Sequence, residues 1–376
     1  MTLNDSNERH SIYGSELRDI IRGNGGDDTI YGEGGNDYIV GGSGDDYLQG
    51  GEGNDSYVYN LGDGDDYIYD EGGSDTIRFG TGILRDDVII DSDGYSLYFH
   101  VGTNTITAES QFDTYSPLYG IERAVFADGA SINLPSVNDI VGSSSNDSAL
   151  YGTADNDYIY GFSGNDILRG GAGADVLDGG QGTDRVSYLD ASEGLRAYLG
   201  NTSKNTGDAV GDIYISIENL QGSRYNDVLV GDSGNNRIWG HNGNDSIWAG
   251  NGNDILIGQN GDDRLFSGKG SDNLYGGNGA DSFMFRATDI NDGIDQIRDF
   301  DLSEGDVLNL SHVLEEYDPL VDAITDFVRI TNNNGDSILS VDIDGGADSF
   351  QQIATIHDVT GLTNEEQLET NGTLIV

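Results

Sequence analysis

The chain has 376 residues with 17 basic against 67 acidic side chains, a net charge of −50, 58 glycines, three prolines and no cysteine. Hydrophobic residues make up 35%, below the roughly 45–50% of ordinary globular chains, and so acidic a chain repels nucleic acid. Lack of cysteine excludes disulfides and thiolate metal sites. No segment approaches the ~18 apolar residues of a membrane helix, and residues 1–30 contain no apolar run of the roughly 7–15 residues found in a cleavable leader.

Residues 1–58 are the first predicted unit, and from position 23 they keep a period of nine. "GGSGDDYLQ" (41–49) is followed directly by "GGEGNDSYV" (50–58), and the array of four repeats covers 23–58. Glycine at the first, second and fourth places permits the turn conformations that a side chain resists. Aspartate stands sixth, and the eighth place is apolar, as at Ile30, Ile39 and Leu48. A short strand centred there sends this side chain to one face and its neighbours to the other. Turn and strand in alternation predict a parallel β-helix or β-roll with two nonapeptides per coil.

Residues 59–135 lose the period, although "NLGDGDDYIYDEGGSDTIRFG" (60–80) keeps two aspartate turns at Asp66 and Asp75. The alternation in "DDVIIDSDGYSLYFHV" then predicts antiparallel strands and hairpins. Residues 136–187 hold the second roll, its array at 152–187 including "GFSGNDILR" and "GGAGADVLD" with Leu168, Leu177 and Val186 in the eighth place. Residues 188–221 are predicted as inserted strands. The third roll, 222–284, is seven nonapeptides without interruption, from "GSRYNDVLV" to "GGNGADSFM". Its ninth places put Val230, Trp248, Phe266 and Met284 in one outward column and Trp239, Ile257 and Tyr275 in another. The expectation is that the segment after 284 covers one column and a neighbouring array the other; the alternative is ladder stacking that only stiffens the roll. Residues 285–376 read as strands with one or two short helices, Thr363 and Glu366 forming a capping box before the last helix.

Aspartates two repeats apart fall in successive coils, roughly 4.8 Å apart, where bare carboxylates repel by about 3.5 kcal/mol per pair at an effective dielectric constant near 20. Stacked carboxylates and carbonyls form an all-oxygen edge suited to a hard cation with 6–8 ligands, calcium before magnesium. The sequence carries no recognisable catalytic constellation. The five histidines (10, 100, 241, 312, 357) make no HExxH, "GDSG" at 231–234 lies in register with the repeats, and "GKGSD" at 268–272 lacks P-loop spacing.

The pattern GGxGxDxUx, with U apolar, resembles the calcium-binding nonapeptide of the RTX (repeats-in-toxin) family. The resemblance implies a mostly β, non-catalytic protein of calcium-binding parallel β-rolls, with an antiparallel β insertion and a β-rich secretion domain bearing short helices. It implies as calcium ligands Asp28, Asp37, Asp46 and Asp55, then Asp157, Asp166, Asp175 and Asp184, then Asp227, Asp245, Asp254, Asp263, Asp272 and Asp281. About nine full Ca2+ sites follow, with partial ones at the array ends. Asn236 weakens one slot, and Asp155 replaces a turn glycine in another. Residues 59–135 resemble the accessory β-domain of such proteins, and 285–376 the target domain of type I-secreted adhesins from Gram-negative bacteria. That likeness implies a secreted or cell-surface protein. Its partners would be calcium and a type I apparatus of ABC transporter, membrane-fusion protein and outer-membrane channel. Two other readings stay open: an accessory module of a secreted epimerase, lipase or protease, and a sugar- or peptide-binding module.

Overall fold

The computed structural model describes residues 1–5, 8–92, 95–109, 111, 120–134, 139–290, 292–314, 317–346 and 349–376, and almost all its regular structure is β. The chain forms two compact units. One is Met1–Leu150 with Tyr158–Asp166 and Gly180–Gly182; the other is Tyr151–Asp157, Ile167–Gly179 and Thr183–Val376.

In the first unit each nonapeptide becomes a turn and a short strand, and strands two repeats apart pair in parallel. One sheet runs Thr2–Asn4, Ile20–Gly25, Tyr38–Ser43, Ser56–Tyr59, Thr76–Phe79, and its facing sheet includes Ser11–Ser15, Thr29–Glu33, Tyr47–Gln49 and Tyr67–Tyr69. Eighth-place residues lie in register: Ile21, Ile39, Tyr57 and Ile77 stack through one sheet, and Ile12, Ile30, Leu48 and Ile68 through the other. All but Ile12 are buried, so the roll's interior is the core.

The roll outruns the nonapeptide. Tyr67 pairs with Tyr47 and Thr76 with Ser56, so the coil lengthens from 18 to 20 residues and the pairing persists. The antiparallel strands expected over 59–135 are present, but only beyond the longer coils. Val88–Ser92, Leu97–Val101 and Asn104–Ala108 form an antiparallel run that joins the roll where Asn104–Ala108 lies parallel to Tyr67–Tyr69. Arg123–Val125 likewise adds in parallel to Thr76–Phe79 and carries Ser131–Asn133 antiparallel. Phe79, Phe99 and Phe126 close the core there, with the Phe79 and Phe126 rings stacked 5.2 Å apart.

The second unit repeats the design. Leu220, Ile238, Leu256, Leu274 and Ile297 stack through one sheet, and Ala197, Leu229, Ile247, Leu265, Phe283 and Leu308 through the other. Of the strands expected as an insertion at 188–221, Arg196–Tyr198 pairs in parallel with Val228–Val230 and Asn219–Gln221 with Arg237–Asn242 as coils of this roll, while Ile213–Ile215 pairs in parallel with Val176–Asp178 in a separate sheet. After the last nonapeptide, Asp295–Ile297 and Val307–His312 add one more coil in parallel. Antiparallel Val328–Asn333, Asp336–Val341 and Gln351–Ile356 complete one sheet, and Leu374–Ile375 the other.

Two short α-helices, Ile324–Phe327 and Glu365–Asn371, match the expected content. The capping residue differs by one place. Asn364, not Thr363, is the N-cap, its side chain accepting the Gln367 N–H at 3.0 Å. Asparagine caps at least as well as threonine, so the motif alone did not decide between neighbours. Among the described residues no helix is long and apolar enough to cross a membrane.

Candidate metal-binding edges

The sixth-place aspartates form ladders. The backbone N–H of each donates to Oδ1 of the aspartate one coil on: Asp28 to Asp46 and Asp37 to Asp55 at 2.7 Å, Asp245 to Asp263 at 2.7 Å and Asp263 to Asp281 at 2.8 Å. The alternate ladder runs from Asp254 to Asp272 at 2.7 Å. Fifth-place residues build an outer rung, as where Asn244 N–H donates to Asn226 at 2.8 Å. The register therefore fixes Oδ1 and leaves Oδ2 to find another partner.

Among the described residues that partner is missing at Asp28, Asp37, Asp46, Asp55, Asp75, Asp175, Asp245, Asp254, Asp263, Asp272 and Asp281, whose Oδ2 atoms are buried without a hydrogen bond. Buried polar atoms are ordinarily satisfied. At Gly32 an added Cβ would stand 2.5 Å from both Asp37 Oδ2 and the Gly50 carbonyl oxygen, so carboxylate and next-coil carbonyl converge on one point. These donors are all hard oxygens, and they fit calcium.

Two kinds of turn separate the sequence-predicted residues. In open turns the second place is left-handed, even where it is not glycine: Asn24, Glu33, His241 and Gln259 have φ of 73°, 75°, 85° and 83°. In closed turns that place carries serine, threonine or aspartate, which folds onto the sixth-place group. Thr153 donates its N–H (2.6 Å) and hydroxyl (3.0 Å) to Asp157 Oδ2, and Ser223 does the same to Asp227 Oδ2 at 2.6 and 2.9 Å. Ser15 bonds Asp19, Ser143 bonds Asp147, and Asp232 N–H bonds Asn236. Asp157 therefore has its Oδ2 engaged within its own turn, and Asp227 both oxygens, the Leu195 N–H reaching Oδ1 at 2.9 Å. Asp166 and Asp184 are buried at the same place in their turns, Asp166 Oδ1 accepting the Asp147 N–H at 2.7 Å.

The ladders also take in residues that the repeat pattern omitted. Asp46 donates to Asp66 (3.1 Å), Asp55 to Asp75 (2.7 Å), Asp175 to Asp212 (3.0 Å), Asp272 to Asp295 (3.1 Å) and Asp281 to Asp306 (2.9 Å). Glu122 and Glu218 end two ladders by accepting from Asp75 and Asp184. A signal was available in "DTI", "DQI" and "DVL", an aspartate two places before a buried aliphatic residue.

Burial is the main electrostatic cause throughout. It raises the carboxyls of Asp46, Asp55, Asp254, Asp263 and Asp281 to about 7 and those of Asp66, Asp245 and Asp272 to about 8. The donated N–H opposes the rise and neighbouring carboxylates add to it.

The outward columns differ. Trp248 stacks on Phe266 with centroids 3.4 Å apart, and Arg286, from the segment after 284, lies 4.3 Å over Trp248. Phe266 and Met284 are buried. The guanidinium groups of Arg185 and Arg237 lie 4.8 and 4.9 Å from the centre of the Trp239 ring, while Tyr275 is exposed.

Parallel rolls edged by stacked, partnerless carboxylates define a cation-binding repeat protein. The family model of the RTX calcium-binding nonapeptide repeat matches residues 13–48, 35–63, 60–83, 137–161, 151–186, 221–256 and 257–285. These stretches of the chain are RTX calcium-binding repeats. Among solved structures, the extracellular lipase LipA from Serratia marcescens matches at 13% identity and a TM-score of 0.21, covering 97% of this chain and 40% of the lipase chain. The AlgE6R3 subunit of the Azotobacter vinelandii mannuronan C5-epimerase matches at 26% identity and a TM-score of 0.18, covering 35% of this chain and 71% of its own. No curated protein matches the chain.

Proposed function

We propose that this chain is a non-catalytic region of an exported protein, an adhesin in the reading its last ninety residues support. It stays unfolded where free calcium is low and folds outside the cell once its ladders are occupied. One observation carries the reading: the rows of buried Asp Oδ2 atoms without a partner. Removing a partner from a buried charge typically costs about 3–5 kcal/mol, and eleven such groups exceed the roughly 5–15 kcal/mol that holds a domain together. Bound calcium would supply the positive charge those carboxylates lack. The chain's own part is to hold Oδ1 by the ladder, so that Oδ2 faces the next coil's carbonyl.

Asp28, Asp37, Asp46, Asp55, Asp166, Asp175, Asp184, Asp245, Asp254, Asp263, Asp272 and Asp281 are the proposed ligands, and Asp157 and Asp227 close the starts of their arrays. Support for export through a type I apparatus is the resemblance of residues 285–376 to that class of target domain. A chain with a net charge of −50 also resists collapse while it is threaded.

The test is a calcium titration of the stripped protein by far-UV circular dichroism and tryptophan fluorescence, with magnesium as control. Both tryptophans, Trp239 and Trp248, report on the third array. The expected result is a gain of β signal with a blue shift at about 10⁻⁴–10⁻³ M calcium and none with magnesium. A stripped protein already folded at neutral pH overturns the reading.

A further inference from the structure

Where the first array changes from 18- to 20-residue coils, the edge acquires a third carboxylate. Gln49 pairs with Tyr69, which places Asp70 in register with Gly50, the first-place glycine of its turn. In the preceding coils that register holds a backbone carbonyl: a Cβ on Gly32 would meet the Gly50 carbonyl oxygen. A Cβ on Gly50 would instead stand 2.7 Å from Asp70 Oδ2, with Asp55 Oδ2 and the Tyr57 hydroxyl also against it. Oxygens of Asp55, Asp70 and Asp75 lie within 4.8 Å of one another, and all three residues are buried.

Hydrogen bonds aim the group. The Gly50 N–H donates to the Tyr57 hydroxyl at 2.6 Å, and that hydroxyl donates to Asp70 Oδ2. The Gly72 N–H holds Asp70 Oδ1 at 3.1 Å, and the Asp55 N–H holds Asp75 Oδ1 at 2.7 Å. Asp55 Oδ2 and Asp75 Oδ2, on residues 1% and 0% exposed, are left without a partner. Tyr57 occupies the eighth place, where the other repeats carry an aliphatic residue or phenylalanine, so its hydroxyl is a local addition to the repeat.

We propose that Asp55, Asp70 and Asp75 form a tricarboxylate calcium site at the end of the first array's ladder, and that it holds its ion more tightly than the other ladder sites do. The proposal rests on the reading of the ladders as calcium sites and adds Asp70 as a ligand that the nonapeptide does not encode. Tyr57 is a positioning residue. Affinity in oxygen sites rises with the number of charged ligands, and here a carboxylate stands where other coils offer a neutral carbonyl.

Dialysis of the full chain against a series of calcium buffers, with bound metal counted by atomic emission, tests this. Wild type is expected to keep one ion at a free calcium about tenfold or more below the midpoint of the rest. Asp70→Asn, which preserves size and an acceptor for Tyr57, is expected to release that ion with the others, whereas Asp263→Asn keeps it. A single class of ions in wild type overturns the proposal without recourse to a variant, as does an Asp70→Asn protein that still retains the tight ion. A chain that binds no calcium even at millimolar levels instead refutes the ladder reading on which the proposal rests.

Discussion

The Ser223 hydroxyl donates to both oxygens of Asp227 at 2.9 Å, and the Ser223 N–H reaches Oδ2 at 2.6 Å. One coil on, His241 takes the equivalent place with φ 85°, and Asp245 Oδ2 has no partner. Side-chain oxygens that bond nearby backbone or side-chain groups stabilise such turns locally. The second place of the turn thus decides whether the sixth-place Oδ2 is satisfied within its own turn or left without a partner. Ser223→Gly should remove the cap and allow the left-handed turn. The expected outcome is one additional calcium at saturation, and a loss of about 1–2 kcal/mol wherever that ion is absent. Equilibrium dialysis gives the count; an unchanged number of ions would leave Ser223 as a cap and nothing more.

At the scale of elements, the outward columns show what parallel stacking does to a repeated side chain. The Trp248 ring lies 6° from parallel to Phe266 and under the Arg286 guanidinium, whereas Tyr275 is 37% exposed. Trp248→Ser should therefore cost about 2–3 kcal/mol in saturating calcium, and Tyr275→Ser less than ~0.5 kcal/mol. Urea unfolding followed by Trp239 emission compares the two; equal stabilities would mean that the covered column only decorates the roll. The nonapeptide phase made the strands, the buried eighth places and most ladder aspartates legible, because turn and strand each occupy fixed places in nine residues. It could not show where the roll stops. Parallel pairing is made by backbone, so Asp212, Asp295 and Asp306 join the ladders without the repeat's glycines, Asp295 and Asp306 two places before an aliphatic residue and Asp212 two places before Tyr214. Asp70 was hidden for a related reason: two extra residues put a carboxylate in a register that the pattern reserves for glycine. The closed turns were open to reading, since serine and threonine at the second place carry the hydroxyl that marks them.

For the whole molecule the deciding quantity is charge: 67 acidic residues against 17 basic ones, with many of the acids in rows inside the rolls. Two species compete for those oxygens, calcium and the proton, and the direction of the competition follows from the shifted carboxyls. Asp46, Asp55, Asp263 and Asp281 rise to about 7, and Asp245 and Asp272 to about 8, in the folded, metal-free chain, against about 3.9 when unfolded. A carboxyl raised on folding favours the fold fully below its unfolded value, and that contribution is lost as pH rises through its folded value. Without calcium, compaction should therefore grow as pH falls from about 9 towards about 4, opposite to the usual acid unfolding of proteins with paired carboxylates. With calcium the sign reverses, since protons displace the ion and the calcium midpoint should rise as pH drops below about 7. Small-angle scattering separates the cases. A 376-residue chain unfolded has a radius of gyration of roughly 70 Å, several times that of compact units. In chelator the value should fall on acidification, and at pH 8 only calcium should lower it. A stripped chain that expands as the pH is lowered would place the ladder aspartates in water, where burial could neither raise their carboxyls nor create a need for the ion.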